Sequence, residues 1–375
     1  MPKEIYAIST LVATIVGVGI FSLPYVAAKV GLPVMLLYFL ALSALLLLLY
    51  LIFAEISLAT PDYKRLPGFA EYHLGPLAKN IALGAMIVSS FGSIIAYLII
   101  GGTFLAGIFD PILRSAGFDP ANSIQLFTLI YWALGTALIF LGIKTVAKIS
   151  FWALILLFAV LGMLSLCGMP FFKLDNLMAR TGGLQDLFLP YGAIVFSLWG
   201  VDMIPEIEEM LGEKKFLLKR VITKSLLITL AIYLFFIFLS LGVAGKDINS
   251  SAIASLGTAV GGGAAMLGFV FGLLTSFTSF ITTGLTLKKI FHYDMKISKV
   301  VSFGLTCFVP LIMFFIGFNN FIPVVSLLGG VMLGVNGILI LAMYKKIRPQ
   351  RSFLFLPLIL VLLAGMVYEI IYFVK

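Results

Sequence analysis

The sequence reads GVGIFSLPY at residues 17–25 and FSLWGVDMIP at residues 196–205. Both stretches place glycine and proline inside apolar segments where an unbroken membrane-spanning helix would carry leucine. Irregular backbone at the depth of a bilayer is tolerated only where it is buried in protein or lines a cavity. The two stretches therefore predict two broken helices that meet at a binding site. Glycines that only let neighbouring helices pack closely are the alternative interpretation.

The composition around these stretches is that of an integral membrane protein. Of the 375 residues, 62% are hydrophobic and 11% are charged, whereas a soluble domain has about 45–50% apolar and about 25% charged residues. Two cysteines and two histidines provide neither a disulfide framework nor the ligand set of a zinc site. A disulfide-stapled secreted domain and a zinc enzyme are therefore excluded.

Hydropathy predicts eleven membrane-spanning helices in one domain that covers residues 1–375. A helix needs about 20 apolar residues to cross the hydrocarbon core of a bilayer. The segments that meet this requirement are Ile5–Ala28, Leu32–Ala59, Asn80–Phe109, Asn122–Gly142, Ser150–Phe172, Leu187–Glu206, Leu217–Ala244, Ala259–Leu287, Val300–Phe318, Asn320–Tyr344 and Phe353–Val374.

The lysine and arginine residues indicate the orientation of these helices. With the N-terminus in the cytoplasm, 19 of the 25 lie on the cytoplasmic side and six lie outside. Positive residues in short loops favour the cytoplasmic side, so this division supports both the orientation and the number of helices. The net charge of +9 then reflects topology, and no nucleic-acid partner is expected. We expect a multi-pass protein of the cell membrane with its C-terminus outside.

The two broken helices are the first and the sixth, so each begins a block of five. Gly17 and Gly200 are 183 residues apart, and Pro24 and Pro205 are 181 residues apart. Because five is odd, the second block crosses the membrane in the opposite direction, as in an inverted-topology repeat. The repeats are predicted at about residues 5–172 and 187–344, with an extra helix at about 353–374. In such transporters the interrupted helices meet near the membrane midplane at the substrate site.

Three motifs resemble those of a known family. GVGIFSLPY resembles the first-helix signature of the amino acid/auxin permease family, within the amino acid–polyamine–organocation superfamily. LPGFAEYHLGP at residues 66–76 and the aromatic-Gly-x-acid pattern from Phe196 to Asp202 are similar to superfamily stretches. The resemblance implies an all-α, leucine-transporter-like fold of five plus five helices with one extra helix. It also implies transport of neutral L-amino acids by alternating access, coupled to a cation gradient.

A substrate site at the two breaks follows from the resemblance. Backbone N–H groups at the first break would bind the α-carboxylate, and carbonyl groups at both breaks would accept hydrogen bonds from the ammonium group. Trp199 would form a wall, and Asp202 would bind the ammonium group or carry a proton, since intramembrane carboxylates are by default functional. The implied substrate-binding residues are Thr14, Gly17, Val18, Gly19, Ile20, Phe196, Ser197, Trp199, Gly200 and Asp202. Further candidates for the wall are Ser93, Tyr97, Ser326 and Asn336.

The resemblance also implies a cation site beside the first break. Its ligands would be the carbonyl oxygens of Ala13 and Val16 and two hydroxyl groups of the eighth helix. The hydroxyl pair is either Thr275 with Ser276 or Thr278 with Ser279. Neutral oxygen ligands suit sodium, and the fifth helix contains no lysine that could replace sodium by binding a proton, so sodium is favoured over a proton. Hydrogen bonding between helices is the alternative role of these hydroxyls, and no other cofactor is expected.

Other functions have less support in the sequence. A carrier of polyamines or nucleobases with the same fold stays open as an alternative. A membrane-embedded enzyme is less favoured, because the chain has no Gly-x-Ser-x-Gly or His-Glu-x-x-His motif and no paired intramembrane aspartates. An acidic cluster after the sixth helix is interpreted as a cytoplasmic ion-pair face that borders the translocation path. Its members are Glu206, Glu208, Glu209 and Glu213.

Overall fold

A computed structural model of the chain describes residues 3–61, 64–115, 120–141, 143–178, 180–183, 186–248, 252–318, 328–350 and 355–374. These residues form helices and turns, and no β-strand occurs among them. The α-helices are α1 (Lys3–Ile15), α2 (Leu23–Val30), α3 (Leu32–Ala59), α4 (Leu66–Leu74), α5 (Pro76–Ser115), α6 (Pro120–Leu141), α7 (Ile143–Gly168), α8 (Leu189–Ser197), α9 (Ile204–Leu211), α10 (Leu218–Ala244), α11 (Ala252–Val260), α12 (Gly262–Lys289), α13 (Lys299–Ile316), α14 (Leu333–Ile347) and α15 (Phe355–Val374).

The predicted all-α membrane fold is confirmed. Each of the eleven predicted segments coincides with helix, although the tenth and the eleventh begin outside the described residues. The wall candidate Ser326 also lies outside the described residues. Seven continuous helical stretches of the described residues are long and apolar enough to cross a membrane, and the bent pair of α1 and α2 adds an eighth. One of the seven, Leu189–Asp247, contains the second broken helix together with α10.

Two predicted boundaries were wrong. Helix α5 begins at Pro76 and ends at Ser115, so it extends beyond both predicted ends of the third segment. The predicted eighth segment begins in α11, which Gly261 separates from α12. Gly261 has a φ of +111°, a conformation that favours glycine and ends the helix. The nine-residue helices α4 and α11 were not predicted because each is too short to span a bilayer.

Both predicted breaks are present. The first helix consists of α1 and α2, which a 3₁₀ turn at Val18–Phe21 separates, and the two axes differ by 50°. The sixth helix consists of α8 and α9, which a 3₁₀ turn at Val201–Met203 separates. Pro24 and Pro205 lie in the first turn of α2 and α9, where a missing N–H group loses no hydrogen bond. Each proline therefore begins a second half-helix.

The broken helices lie inside the bundle. Helix α1 packs against α7, α9, α10 and α12, and α8 packs against α2 and α3. The side chains of Val18 and Ile20 at the first break are fully buried. The two breaks are therefore surrounded by protein on the sides where a single helix would face lipid.

Candidate substrate site at the two helix breaks

The two breaks fit closely into each other. A Cβ atom added to Gly19 would lie 2.8 Å from the Cα atom of Ser197, and one added to Gly200 would lie 2.6 Å from Cγ1 of Ile15. Real Cβ atoms do not come this close to other atoms, so only glycine permits the contact. Each break thus supplies one glycine against which the other break packs.

Two buried tyrosines bind carbonyl oxygens of the breaks. The Tyr233 hydroxyl on α10 lies 2.7 Å from the carbonyl oxygens of both Ile15 and Ser197. The Tyr50 hydroxyl on α3 donates a hydrogen bond of 3.0 Å to the carbonyl oxygen of Leu198. Both tyrosine side chains are fully buried. They satisfy acceptors that a helix end leaves without an intrahelical partner, and neither tyrosine was predicted from the sequence.

A polar cavity lies beside the interlocked breaks. It spans about 550 Å³ including its open mouth. The lining residues that the structure describes include one acid, Asp202, and no lysine, arginine or histidine. The wall consists of Thr14, Ser89, Ser90, Ser93, Tyr97, Phe196, Trp199, Gly200, Asp202, Met203, Thr282, Thr283, Thr286 and Leu333.

Half of the implied substrate-binding residues line this cavity. They are Thr14, Phe196, Trp199, Gly200 and Asp202, and the wall candidates Ser93 and Tyr97 line it as well. The wall candidate Asn336 is fully buried in α14 and is not among the lining residues.

The other implied substrate-binding residues lie behind the cavity wall. Val18, Gly19 and Ile20 belong to the 3₁₀ turn of the first break, and Ser197 packs on Gly19. The first N–H groups of such a turn have no acceptor within it. Gly17 faces the side chains of Ser279 and Tyr97. These backbone groups therefore adjoin the cavity without forming its surface in this conformation.

Asp202 and Trp199 form a polar pair in the cavity wall. The indole Nε1 of Trp199 donates a hydrogen bond of 2.9 Å to Oδ2 of Asp202. The other carboxylate oxygen, Oδ1, is shielded from solvent and has no hydrogen-bond partner among the described residues. An unsatisfied buried oxygen costs free energy. A ligand that donates a hydrogen bond or carries a positive charge would therefore be favoured here.

Two hydroxyls of α12 face the end of α1. The Thr278 hydroxyl lies 3.1 Å from the carbonyl oxygen of Ala13 and also 3.0 Å and 3.1 Å from those of Leu274 and Thr275 in its own helix. The Ser279 hydroxyl lies 3.3 Å from the carbonyl oxygen of Ala13 and 3.1 Å from that of Thr14. Both hydroxyls are buried. The alternative pair bonds within α12, Thr275 to Gly272 and Ser276 to Leu273. Val16, the other implied carbonyl ligand, follows the last residue of α1 directly.

The sequence analysis missed part of the cavity wall. Its unpredicted members are Ser89, Ser90, Met203, Thr282, Thr283, Thr286 and Leu333. A polar period of four residues was the available signal. Ser89, Ser93 and Tyr97 follow one another at this spacing on α5, and Thr278, Thr282 and Thr286 do so on α12. Residues four apart share a helix face, so both stripes point to the same polar interior.

A sequence profile of the tryptophan/tyrosine permease family matches residues 1–372. The chain belongs to this family. The permease is 26% identical over 334 residues to the tyrosine-specific transport system 1 of Haemophilus influenzae, an alignment that covers 84% of this chain and 80% of the relative. The crystal structure of MhsT in complex with L-phenylalanine matches the permease fold with a TM-score of 0.76 at 14% identity, covering 96% of this chain and 98% of MhsT.

The resemblance to the amino acid/auxin permease family was wrong at the level of the family. The family match over nearly the whole chain overturns it. The glycines and prolines of the breaks serve a backbone geometry that related amino acid permeases also need, so these motifs indicate the fold and not the family. The prediction of an amino acid transporter is confirmed, and the protein is a multi-pass membrane permease, not an enzyme.

Four buried phenylalanines contact one another next to the first break. Phe21 stands with its ring centroid 5.2 Å from that of Phe104, 5.9 Å from Phe236 and 5.8 Å from Phe271. All four side chains are buried. Phe236 lies toward the Ala244 end of α10, and Phe271 lies toward the Gly262 end of α12. This aromatic cluster is therefore on the side predicted to be outside.

Two successive contacts join the second break and α9 to α12. Met203 Sδ accepts a hydrogen bond of 3.5 Å from the Thr286 hydroxyl, and both residues line the cavity. One turn further along both helices, Lys289 Nζ lies 3.6 Å from Oε2 of Glu206. Glu206 is also paired with Arg65, at the start of α4.

Glu206 forms ion pairs, as the sequence analysis interpreted it, but these pairs are buried. Its side chain and that of Arg65 are 0% and 1% exposed. Glu209 binds both Arg65 and Lys289. This network, Arg65 with Glu206, Glu209 and Lys289, is hereafter the inner ion cluster. Because α9 begins at the second break, the burial of Glu206 follows from the packing of that half-helix into the bundle.

Proposed function

We propose that this permease transports aromatic L-amino acids, with tyrosine and tryptophan as main substrates, in symport with sodium. The description of its family and the name of its Haemophilus influenzae relative support the aromatic class. The observation that carries the proposal is the polar cavity at the junction of two broken helices. Its wall includes the rings of Tyr97, Phe196 and Trp199, and aromatic pairs contribute about 0.5–1.5 kcal/mol beyond burial.

The charges of the cavity suit a zwitterion. Asp202 supplies one negative charge toward the ammonium group, and the described wall has no basic side chain that would select an acidic substrate. The α-carboxylate would bind N–H groups at the first break, because helix N-termini favour anions. The hydroxyl groups of Ser90, Thr282 and Thr286 offer acceptors for the phenol O–H or indole N–H of the substrate side chain.

The oxygen atoms around Ala13 form the proposed sodium site. The carbonyl groups of Ala13 and Thr14 lie in the last turn of α1, which carries the negative end of the helix dipole. Carbonyl groups at such unwound ends bind coupling cations in broken-helix transporters. Thr278 and Ser279 would complete the site from α12. A cation held there would connect α1 to α12, and a proton on Asp202 is the alternative form of coupling.

The orientation is part of the same proposal. The basic residues at the C-terminal end of α12, near Lys289, and those after α14 would face the cytoplasm. The aromatic cluster would lie toward the outside. The N-terminus would then be cytoplasmic and the C-terminus external, in a cell membrane.

Uptake into proteoliposomes tests this function. Radiolabelled tyrosine, tryptophan, phenylalanine, leucine and serine are offered under a sodium gradient and, separately, under a proton gradient. Saturable, sodium-driven uptake that favours the aromatic substrates supports the whole proposal. Proton-driven uptake of the same substrates would support the aromatic substrate class and contradict sodium coupling. Preference for leucine or serine over every aromatic amino acid would contradict the substrate class.

A further inference from the structure

The carbonyl ends of both broken helices converge on one side chain. Ile15 is the last residue of α1, and Ser197 is the last residue of α8. The Tyr233 hydroxyl lies 2.7 Å from the carbonyl oxygens of both residues. Tyr233 is fully buried and comes from a third helix, α10. Its hydroxyl is therefore the bridge between the two breaks.

The electrostatics of this point favour positive charge. A helix C-terminus carries a partial negative charge of about half an elementary charge, and here two such ends face each other. A phenol has only one proton to donate, so two acceptors at 2.7 Å share one donor. In broken-helix transporters the C-terminal ends of half-helices are sites where coupling cations bind. Without the phenol proton, the Ile15 carbonyl oxygen would keep its hydrogen bond of 2.8 Å from the Gly17 N–H group, and the remaining lone pairs of the two carbonyl oxygens would attract a cation.

We propose that the Tyr233 hydroxyl takes the place of a bound cation between the two broken helices of this permease. The proton of the phenol holds both carbonyl ends together permanently, so no ion is needed at this point. Among the described residues, the oxygen cluster of Ala13, Thr14, Thr278 and Ser279 then binds the sodium, and one sodium ion accompanies each substrate. Tyr233 is thus a positioning residue that acts through the backbone. The stoichiometry rests on the proposed sodium coupling, whereas the role of Tyr233 does not.

The structure supplies a matched control for this role. Tyr50 is also fully buried, and its hydroxyl donates to a carbonyl oxygen of the same broken helix, that of Leu198. Tyr50 bonds one break only, whereas Tyr233 bonds both. Tyr50→Phe and Tyr233→Phe each remove one buried hydroxyl, but only Tyr233→Phe removes a donor that two converging carbonyl groups share.

Thermal unfolding of the purified permease gives the first test, in sodium chloride and in N-methylglucamine chloride at equal ionic strength. A ligand that binds only the folded state raises the unfolding temperature. We expect Tyr233→Phe to be less stable than wild type without sodium and to gain more from sodium than wild type does. Tyr50→Phe should lose stability but respond to sodium as wild type does. Equal sodium responses of all three proteins would overturn the proposal.

Tyrosine uptake against sodium concentration gives the second test. The wild type should show a Hill coefficient of about 1, and Tyr233→Phe should shift toward about 2, since the coefficient can rise to the number of sites. The half-maximal substrate concentration at low sodium should rise about tenfold in Tyr233→Phe, the effect of losing one buried hydrogen bond. Unchanged steepness and unchanged substrate affinity would contradict the role.

Two outcomes separate this inference from the proposed function. If sodium does not change the unfolding temperature of the wild type but raises that of Tyr233→Phe, the proposed sodium coupling is contradicted and the role of Tyr233 is supported. If Tyr233→Phe cannot be purified, the sodium dependence of tyrosine uptake in membrane vesicles provides the test, with Tyr50→Phe as the control. Tyr233→Phe should then show the steeper sodium dependence, and equal steepness in the two variants would contradict the inference.

Discussion

The indole Nε1 of Trp199 donates a hydrogen bond of 2.9 Å to Oδ2 of Asp202. The pair flanks Gly200, so the side chains before and after the second break are joined across it. Asp202 is the one acid among the described lining residues of the cavity, and its Oδ1 has no described partner. The carboxylate is thus held by one hydrogen bond while one oxygen is left for another donor.

Asp202→Asn should weaken the binding of every aromatic substrate to a similar degree. The variant keeps the shape and the contact with Trp199 but removes the negative charge that faces the ammonium group. Hydrogen bonds to charged groups are worth about 1.5–3 kcal/mol, so KM should rise about tenfold or more. Uptake of tyrosine, tryptophan and phenylalanine measures the effect, with Asp175→Asn, at an exposed acid outside the cavity wall, as the control.

A different pattern would assign Asp202 another role. If Asp202→Asn abolishes uphill uptake but leaves the exchange of internal for external substrate intact, the residue carries a proton. An unchanged KM for all three substrates would exclude contact with the ammonium group.

The two hydroxyl pairs of α12 should differ in their effect on cation dependence. Thr278 reaches the carbonyl oxygen of Ala13, whereas Thr275 bonds within its own helix. Thr278→Val should raise the sodium concentration for half-maximal uptake by about tenfold or more, the equivalent of at least one lost ligand hydroxyl. Thr275→Val should leave it near the wild-type value. The reverse order would move the cation site to the alternative pair.

The sequence was sufficient to predict the all-α membrane fold and both breaks, because hydropathy, glycine and proline act locally on the chain. It left the hydroxyl pair open for a physical reason. Thr275 and Thr278 are three residues apart on one helix, and which of them faces α1 depends on the rotation of α12. That rotation is set by packing against α5, α7 and α1, which a single sequence does not record.

Long-range partners were missed for the same reason. Tyr233 is 218 residues from Ile15, and Arg65 is 141 residues from Glu206. Neither a tyrosine in an apolar helix nor an arginine in a short loop stands out locally. The burial of Glu206 was also missed, because a run of acids and lysines is most often a solvated surface.

Gly19→Ala should lower transport markedly, while Gly84→Ala should be tolerated. The added methyl group at residue 19 would lie 2.8 Å from the Ser197 backbone, so the two breaks must separate. At Gly84 on α5, a Cβ atom would meet nothing within 4 Å. Overpacking of this kind costs about 1–3 kcal/mol, which corresponds to a loss of transport of about tenfold or more. The measurement is uptake normalised to the amount of folded protein. Equal uptake by both variants would contradict the close contact of Gly19 with Ser197.

Arg65 and Glu206 should be strongly coupled in stability. Both side chains are buried, at 1% and 0% exposure, and removing one partner of a buried pair leaves an uncompensated charge that costs about 3–5 kcal/mol. Arg65→Met should therefore lower the unfolding temperature markedly. Arg65→Met combined with Glu206→Leu should restore much of it, because the double variant buries no unpaired charge. Lys289, 3.6 Å from Glu206, will reduce the loss in the single variant.

The pair of Lys79 and Glu71 is the matched control for this cycle. Their Nζ and Oε2 atoms are 2.7 Å apart, but the side chains are 22% and 48% exposed, so water screens the interaction. Lys79→Met should leave the unfolding temperature almost unchanged. If the Arg65 and Glu206 effects were additive like those of this surface pair, the inner ion cluster would not hold α9 against α4 and α12. Coupling, by contrast, would mean that α9 can move away from α4 and α12 only if its two acids leave Arg65 and Lys289 at the same time. Both acids, Glu206 and Glu209, lie on α9.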